Sequence, residues 1–257
     1  MTEDLALLTA AAKEAGALAL RYWKTAPKAW EKDAGAGPVS EADLAVNDLL
    51  AERLRGARPD YGWLSEESLD DAARLSAERI FVVDPIDGTR AFLANESGFA
   101  HAIAVVERGE VVAGVVHLPA LEMTYAATVT GPALLNGMPI RPASVAQIEG
   151  STLLTSKLTD DAGNWRNGVP SYQRKFRSSL AWRLCLVAEG RFDAAISLRP
   201  AWEWDIAAAS LIANRAGALT TDCHGGKLRF NCASAQVDGL LSAPEPLHGE
   251  YLAQLRG

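Results

Sequence analysis

Apolar residues recur at helical spacing from the first turn of the chain. Leu5, Leu8, Ala12, Ala15, Ala19 and Tyr22 fall on one stripe, which predicts an opening amphipathic helix. Lys32-Asp33-Ala34-Gly35-Ala36-Gly37-Pro38 interrupts the stripe with breakers and reads as a loop. Ser40 stands three residues before Asp43, an acidic form of the capping box. A second helix follows, with Leu44, Asn47, Leu50 and Leu54 on one side, and ends near Gly56. Then the period changes. Residues 61–64 read as a short strand running into Ser65-Glu66-Glu67-Ser68. Ile80-Phe81-Val82-Val83 is a short apolar run typical of a buried strand, and Asp84-Pro85-Ile86-Asp87-Gly88-Thr89 follows at once. Further strands are predicted at 101–107, 111–118 and 123–128, and a turn at Asn136-Gly137 closes this strand-rich half.

Beyond that turn the alternation differs. The pattern predicts a strand at 152–155, a helix at 181–189 ahead of Gly190, and a strand at 194–198. A helix opening at Asp205 runs through Arg215, with Gly217 as its cap, and a strand follows at 218–221. Layers of helix and sheet are the natural architecture: an α/β protein whose N-terminal half is α+β. The organisation divides at the turn, into an N-terminal subdomain (1–137) and a C-terminal one (138–257). A chain of 257 residues can bury a sizeable core either way.

Charge narrows the partners. The net charge of −7 argues against a nucleic-acid backbone or an anionic membrane as the main partner. Cys185, Cys223 and Cys232 are odd in number and form no C-x-x-C pair, as free thiols in a reducing cytoplasm would be. The N-terminus carries Glu3, Asp4, Lys13 and Glu14 and lacks the apolar core of a signal peptide. The expectation is a cytoplasmic protein.

Three acidic sites carry the chemistry. The apolar strand delivers Asp84 at its C-terminal edge, where open α/β sheets place ligands. Pro85 stops a normal ladder and fixes a bend that could bring Asp84 and Asp87 to one side. Carboxylates so close repel unless a cation lies between them, and magnesium prefers oxygen ligands. Alone, the motif could equally be a turn capped by its own aspartates. Glu66 and Glu67 alone could be a solvated loop, and Asp205, at a helix start, an ordinary N-cap. The four histidines show no metal-site spacing.

Taken in order, E-E, then D-P-I-D-G-T, then Trp204-Asp205-Ile206-Ala207-Ala208 resembles the inositol monophosphatase superfamily of lithium-sensitive, magnesium-dependent phosphatases. Pro38-Val39-Ser40-Glu41-Ala42-Asp43, Leu186-Val187-Ala188-Glu189-Gly190 and Gly217-Ala218 extend the likeness over nearly the whole chain. The resemblance implies a layered αβαβα sandwich and a site holding two to three Mg2+ ions. Glu66 would bind metal and help orient the attacking water, with Thr89 sharing that water. Asp84 would bridge two metals, the Ile86 carbonyl would complete one shell, and Asp87 and Asp205 would hold the second metal. The amides of Gly88 and Thr89 would receive phosphate oxygens, and Asp43 and Glu67 would support the site from behind. The resemblance also admits a homodimer.

The substrate pattern departs from the inositol-specific one. After D-G-T this chain has Arg90-Ala91-Phe92, closer to the 3'(2'),5'-bisphosphate nucleotidases of the superfamily. The inositol-gripping acid is missing from Ser197-Leu198-Arg199-Pro200-Ala201, and Glu203 is too close to Asp205 to replace it. Ser178 and Ser179 stand where the family has a glycine-led pair. The expected substrate is a small bisphosphorylated nucleotide, with Arg90 and Arg199 facing the pocket rim. Inositol-1-phosphate, histidinol phosphate and fructose-1,6-bisphosphate are alternatives. An interaction protein of the transcription or ribosome machinery is the non-enzymatic one.

Overall fold

The computed structural model describes residues 2–32 and 37–256; four residues of the predicted breaker-rich loop, 33–36, lie outside the described residues. Helix α1 (Glu3–Tyr22) starts at Thr2, whose hydroxyl accepts from the Leu5 amide, and buries Leu8, Ala12, Ala15 and Ala19. A small antiparallel pair, β1 (Ala29–Glu31) and β2 (Pro38–Ser40), leads into α2 (Glu41–Ala57). The capping box forms: Asp43 Oδ2 accepts from the Ser40 amide at 2.9 Å, and Ser40 Oγ accepts from the Ala42 amide at 3.2 Å. One expectation for α2 changes. Leu44 is 38% exposed and Val46 takes its place in the core, because Leu44 lies about 120° around the helix from Leu50.

The first sheet runs in chain order. It comprises β3 (Gly62–Ser65), β4 (Arg79–Asp87), β5 (Ala100–Glu107), β6 (Glu110–Leu118), β7 (Met123–Thr128), β8 (Leu134–Leu135) and β9 (Met138–Pro139). Only β3 and β4 pair in parallel. The second sheet has the order β11-β10-β12-β16-β14, from β10 (Thr152–Leu154), β11 (Gln173–Lys175), β12 (Ala194–Ser197), β14 (Ala218–Thr221) and β16 (Leu240–Pro244). A short pair, β13 (Ala201–Trp202) with β15 (Gln236–Val237), stands apart. The remaining helices are α3 (Thr89–Leu93), α4 (Leu180–Ala188), α5 (Glu203–Ala216) and α6 (Glu245–Gln254).

These elements stack as five layers, αβαβα. Phe81, Val83, Ile103, Val105 and Val115 of the first sheet pack against α1 and α2. The alternate residues Ile80, Val82, Ala102, Ala104 and Val116 face the other way, onto α4 and α5, which also meet Leu154, Ala195 and Leu240 of the second sheet. The outer face of that sheet, with Leu153, Ile196 and Leu241, is covered by Leu247 and Tyr251 of α6 and by Trp165. A sheet buried on both faces explains the unbroken apolar run at 80–83. Small residues set the spacing of the central layer: a Cβ on Gly114 of β6 would lie 2.9 Å from backbone atoms of Ala208 in α5.

Two expectations about the site elements change. Strand β4 runs on to Asp87, beyond the predicted run at 80–83, although its ladder is interrupted at Pro85 as expected. Asp84 pairs with Ala102 and Asp87 with Ala100, so three steps on β4 oppose two on β5. That extra residue inverts the alternation. Ile86 therefore joins the α1–α2 core, while Asp87 turns toward α4, the same side of the sheet as Asp84. The second change concerns Asp205. Helix α5 begins two residues earlier, with Trp202 as its cap, so Asp205 is the third helical residue and not the N-cap.

Candidate active site

The bulge of β4, the end of β3 and the first turn of α5 converge. Carboxylate oxygens of Glu66, Asp84 and Asp205 lie within 4.8 Å of one another. Asp84 is 1% exposed, and its Oδ1 is buried without a hydrogen-bond partner. Burial, reinforced by the charges of Glu66, Asp87, Asp205 and Asp43, pushes the Asp84 carboxyl well above its ordinary range. Burial and the charges of Asp87 and Glu66 do the same to Asp205. Repelling carboxylates around an orphaned oxygen suit a hard divalent cation, whose charge relieves both terms. The donor set is all oxygen, which fits magnesium and disfavours zinc.

Asp87 stands beside this triangle, held by the first turn of α4. Its Oδ2 accepts from Ser179 Oγ and from the Ala181 amide, each at 2.7 Å, and its Oδ1 from the Leu180 amide at 3.2 Å. Burial outweighs these bonds and lifts its carboxyl to about 6. Oδ1, with one long bond, retains a lone pair for a ligand. Ser179 thus serves Asp87 and caps α4, accepting from the Trp182 amide at 2.9 Å.

Gly88 takes φ of 97°, a left-handed conformation that only glycine adopts freely, and this turns the chain from β4 into α3. Thr89 Oγ1 then lies 3.0 Å from Asp43 Oδ1 and 3.1 Å from the Ile86 carbonyl, so its single proton has two competing acceptors. Asp43 is buried behind it, and that burial raises its carboxyl despite hydrogen bonds from Ser40 and Thr89. From the other side of the Asp84–Asp87 bulge, the buried ring of His101 meets the Pro85 carbonyl through Nδ1. Burial lowers His101 to about 4, so the ring is neutral and Nδ1–H is the donor.

Glu66, Asp84, Ile86, Asp87, Gly88, Thr89, Arg90, Ser178 and Asp205 line one cavity of about 250 Å³. Glu67 is absent from the lining; its largely buried side chain meets Lys32, and burial lifts its carboxyl to about 7. Arg199 is exposed and absent from the lining, in the loop between β12 and β13. Glu203 points away from the cavity, accepting from the amides of Asn231 and Cys232 at 2.6 and 2.8 Å. A larger cavity, of about 590 Å³ beside α1 and His117, contains none of the predicted site residues.

Sequence reasoning missed two cations. Lys32 Nζ donates to Glu66 at 2.7 Å and to Glu67 at 2.6 Å. Burial lowers its ammonium, but the charges and hydrogen bonds of the two glutamates outweigh this and raise it. Arg183, on α4, feels the charges of Asp87 and Asp205. A lysine in a breaker-rich loop and an arginine in an apolar helix carry no local signal; only the fold brings them here.

The fold and this oxygen cage define a metal-dependent phosphatase of small molecules. The sequence model of the inositol monophosphatase family matches residues 1–257, and the chain belongs to that family, whose members are magnesium-dependent phosphatases. It is 31% identical over 215 residues to the fructose-1,6-bisphosphatase/inositol-1-monophosphatase of Thermotoga maritima, covering 83% of this chain and 82% of the relative. It is 32% identical over 227 residues to the 3'(2'),5'-bisphosphate nucleotidase CysQ of Salmonella typhimurium, covering 85% and 90%. The solved structure of a Thermotoga maritima inositol monophosphatase superposes with a TM-score of 0.86 at 26% identity, covering 98% and 96% of the two chains.

Proposed function

We propose that this phosphatase prefers a 3'(2'),5'-bisphosphate nucleotide, such as adenosine 3',5'-bisphosphate, and that lithium inhibits it. The observation that carries the reading is Arg90. It follows the D-P-I-D-G-T motif directly, is exposed, and lines the acidic cavity. A second phosphate needs its own cation, and a guanidinium can bind it in bidentate fashion. Glu203 is turned into the protein, and residues 197–201 supply no carboxylate to grip a polyol. The similarity to CysQ agrees with this; the similarity to the dual-specificity Thermotoga enzyme keeps inositol-1-phosphate as the second reading.

Magnesium held by Glu66, Asp84, Asp205, the Ile86 carbonyl and Asp87 would supply acidity for a water and charge neutralisation for the phosphate. The protein's own groups do the rest. Glu66 and Thr89 Oγ1 orient the attacking water, and Glu66 takes its proton. Asp43 fixes the Thr89 hydroxyl, as the 3.0 Å contact indicates. The amides of Gly88 and Thr89 receive phosphate oxygens. As the water oxygen bonds to phosphorus, the ester P–O bond breaks on the side of Asp205, and the departing alkoxide is protonated from solvent. Positioning and charge suffice, with no covalent enzyme intermediate.

The test is phosphate release from adenosine 3',5'-bisphosphate, inositol-1-phosphate, histidinol phosphate and fructose-1,6-bisphosphate, with magnesium, with added lithium and after chelation. The nucleotide should show the highest kcat/KM, and chelation should abolish turnover. A preference for inositol-1-phosphate would overturn the substrate assignment and leave the metal chemistry standing. Absence of turnover on all four would favour the interaction-protein reading.

A further inference from the structure

His101 is a polar ring among apolar neighbours. It is fully buried, edge-on to Phe99 at 6.4 Å between ring centroids and beside His117 at 6.2 Å. Phe99 belongs to the core that β5 shares with α1 and α2. The Nδ1 of His101 meets the Pro85 carbonyl, which can only accept, so in the neutral ring Nδ1 carries the proton and Nε2 keeps a lone pair. Nε2 is buried and, among the described residues, has no partner. A buried unmatched acceptor is costly, and an apolar side chain would avoid that cost. What the imidazole supplies instead is the bond to Pro85.

The carbonyl held in this way stands where the cage is shaped. Asp84 pairs with Ala102 and Asp87 with Ala100, and the register gives Pro85 and Ile86 no ladder partner. A buried carbonyl outside the ladder needs another donor, and His101, opposite the bulge on β5, supplies it. The Pro85 carbonyl lies in the rigid peptide plane that joins Pro85 to Ile86. Pinning that plane limits the rotation of the chain between the Asp84 and Asp87 carboxylates and steers the Ile86 carbonyl that follows. We infer that His101 is a positioning residue for the metal cage, its Nδ1–H holding the β4 bulge in the shape that presents Asp84, Ile86 and Asp87 together. This inference rests on the metal-dependent phosphatase reading of the site. His101 itself lies outside every motif on which the family resemblance rests.

The experiment compares wild type with His101→Asn, His101→Gln and His101→Leu. Asparagine carries its amide N–H as many bonds from the backbone as Nδ1, glutamine carries it one bond further, and leucine has no donor. Calorimetry with magnesium alone should show binding weakened about ten- to hundredfold in His101→Leu, the scale for groups that orient metal ligands. His101→Gln should lose nearly as much, and His101→Asn should stay close to wild type. In turnover, the loss should fall mainly on the KM for magnesium and little on kcat at saturating metal. A role in packing alone predicts unfolding midpoints that follow side-chain size, with magnesium affinity unaltered in the folded variants; that result would overturn the inference. So would binding no tighter in His101→Asn than in His101→Leu. Nitrogen NMR of histidine-labelled wild type tests the bond without any variant: His101 should carry its proton on Nδ1, and a proton on Nε2 would overturn it. Wild type that binds no magnesium would remove the metal reading itself, whereas normal binding in wild type and variants alike would remove only the role of His101.

Discussion

Asp84 shows at the scale of one residue how function opposes stability. Its carboxylate is sealed among Glu66, Asp87 and Asp205, with one oxygen unpartnered. An unfolded aspartate titrates near about 4, whereas Asp87 in the fold titrates at about 6, and Asp84 and Asp205 are also raised. Above about pH 4 and up to these folded values, the folded protein holds more protons than the unfolded chain, so raising the pH withdraws stability. Metal-free protein should therefore unfold at lower urea at pH 7 than at pH 5, and saturating magnesium should flatten or reverse that trend. Asp84→Asn should cost on the order of a thousandfold or more in kcat, since metal charge stabilisation is worth several kcal/mol. The same variant should unfold no earlier than wild type without metal at pH 7. Near-native turnover with an early unfolding transition would mean that Asp84 is only a turn cap.

The elements matter through the angles at which they deliver these residues. The β4 bulge brings Asp84 and Asp87 to one face, and α5 carries Asp205 to meet them only because Ala208 can lie against Gly114. Gly114→Val should force α5 from the sheet and cost about 1–3 kcal/mol, the usual scale of overpacking. Activity should fall with it, because Asp205 moves with the helix. Gly56 is the contrasting site: it lies inside α2, and a Cβ there meets nothing within 4 Å. Gly56→Ala should stabilise by roughly 0.5–1 kcal/mol through backbone entropy and leave turnover unaltered. Urea titration and steady-state kinetics on the two variants separate these outcomes. Comparable destabilisation at both positions would show that α5 is not held by close contact.

At the scale of the whole molecule, the site joins layers that pack on one another through a shared core. Glu66 and Asp84 come from the first sheet, Asp205 from the helical layer between the sheets, and Asp87 is clamped by α4. A cation bound by all of them stabilises the sandwich as a unit, by about 2.7 kcal/mol at a hundred times its Kd. Magnesium should raise the Tm of the wild type, and Asp205→Asn should lose most of that shift. Cys185 reports the opening of the same central layer. It is fully buried, and burial pushes its thiol well above the ordinary range. A thiol reagent should reach Cys185 only on global unfolding, and magnesium should slow that reaction. Labelling of Cys185 at the rate seen for partly exposed Cys232 would show that the layer opens locally.

The sequence by itself determined what is local. The stripe at Leu8, Ala12, Ala15 and Ala19, the apolar run before Asp84, the Ser40–Asp43 box and Gly217 beyond α5 each follow from side-chain periodicity or backbone sterics within a few residues. So the helices and main strands were legible, and the motif order was enough for the family. Short-range physics fell short where a neighbour decides. Leu44 fits the apolar pattern, yet Val46 claims the buried face of α2. Asp205 read as a cap because nothing nearby reveals that α5 begins at Glu203. Strand β11 and helix α6, which local patterning did not announce, form where the second sheet offers an edge and a face. Only the tertiary structure joined Lys32 to Glu66, stacked Arg183 on Phe176, turned Glu203 inward and left Arg199 outside the cavity. Those placements depend on long-range packing and electrostatics between segments far apart in the chain, which no local pattern encodes.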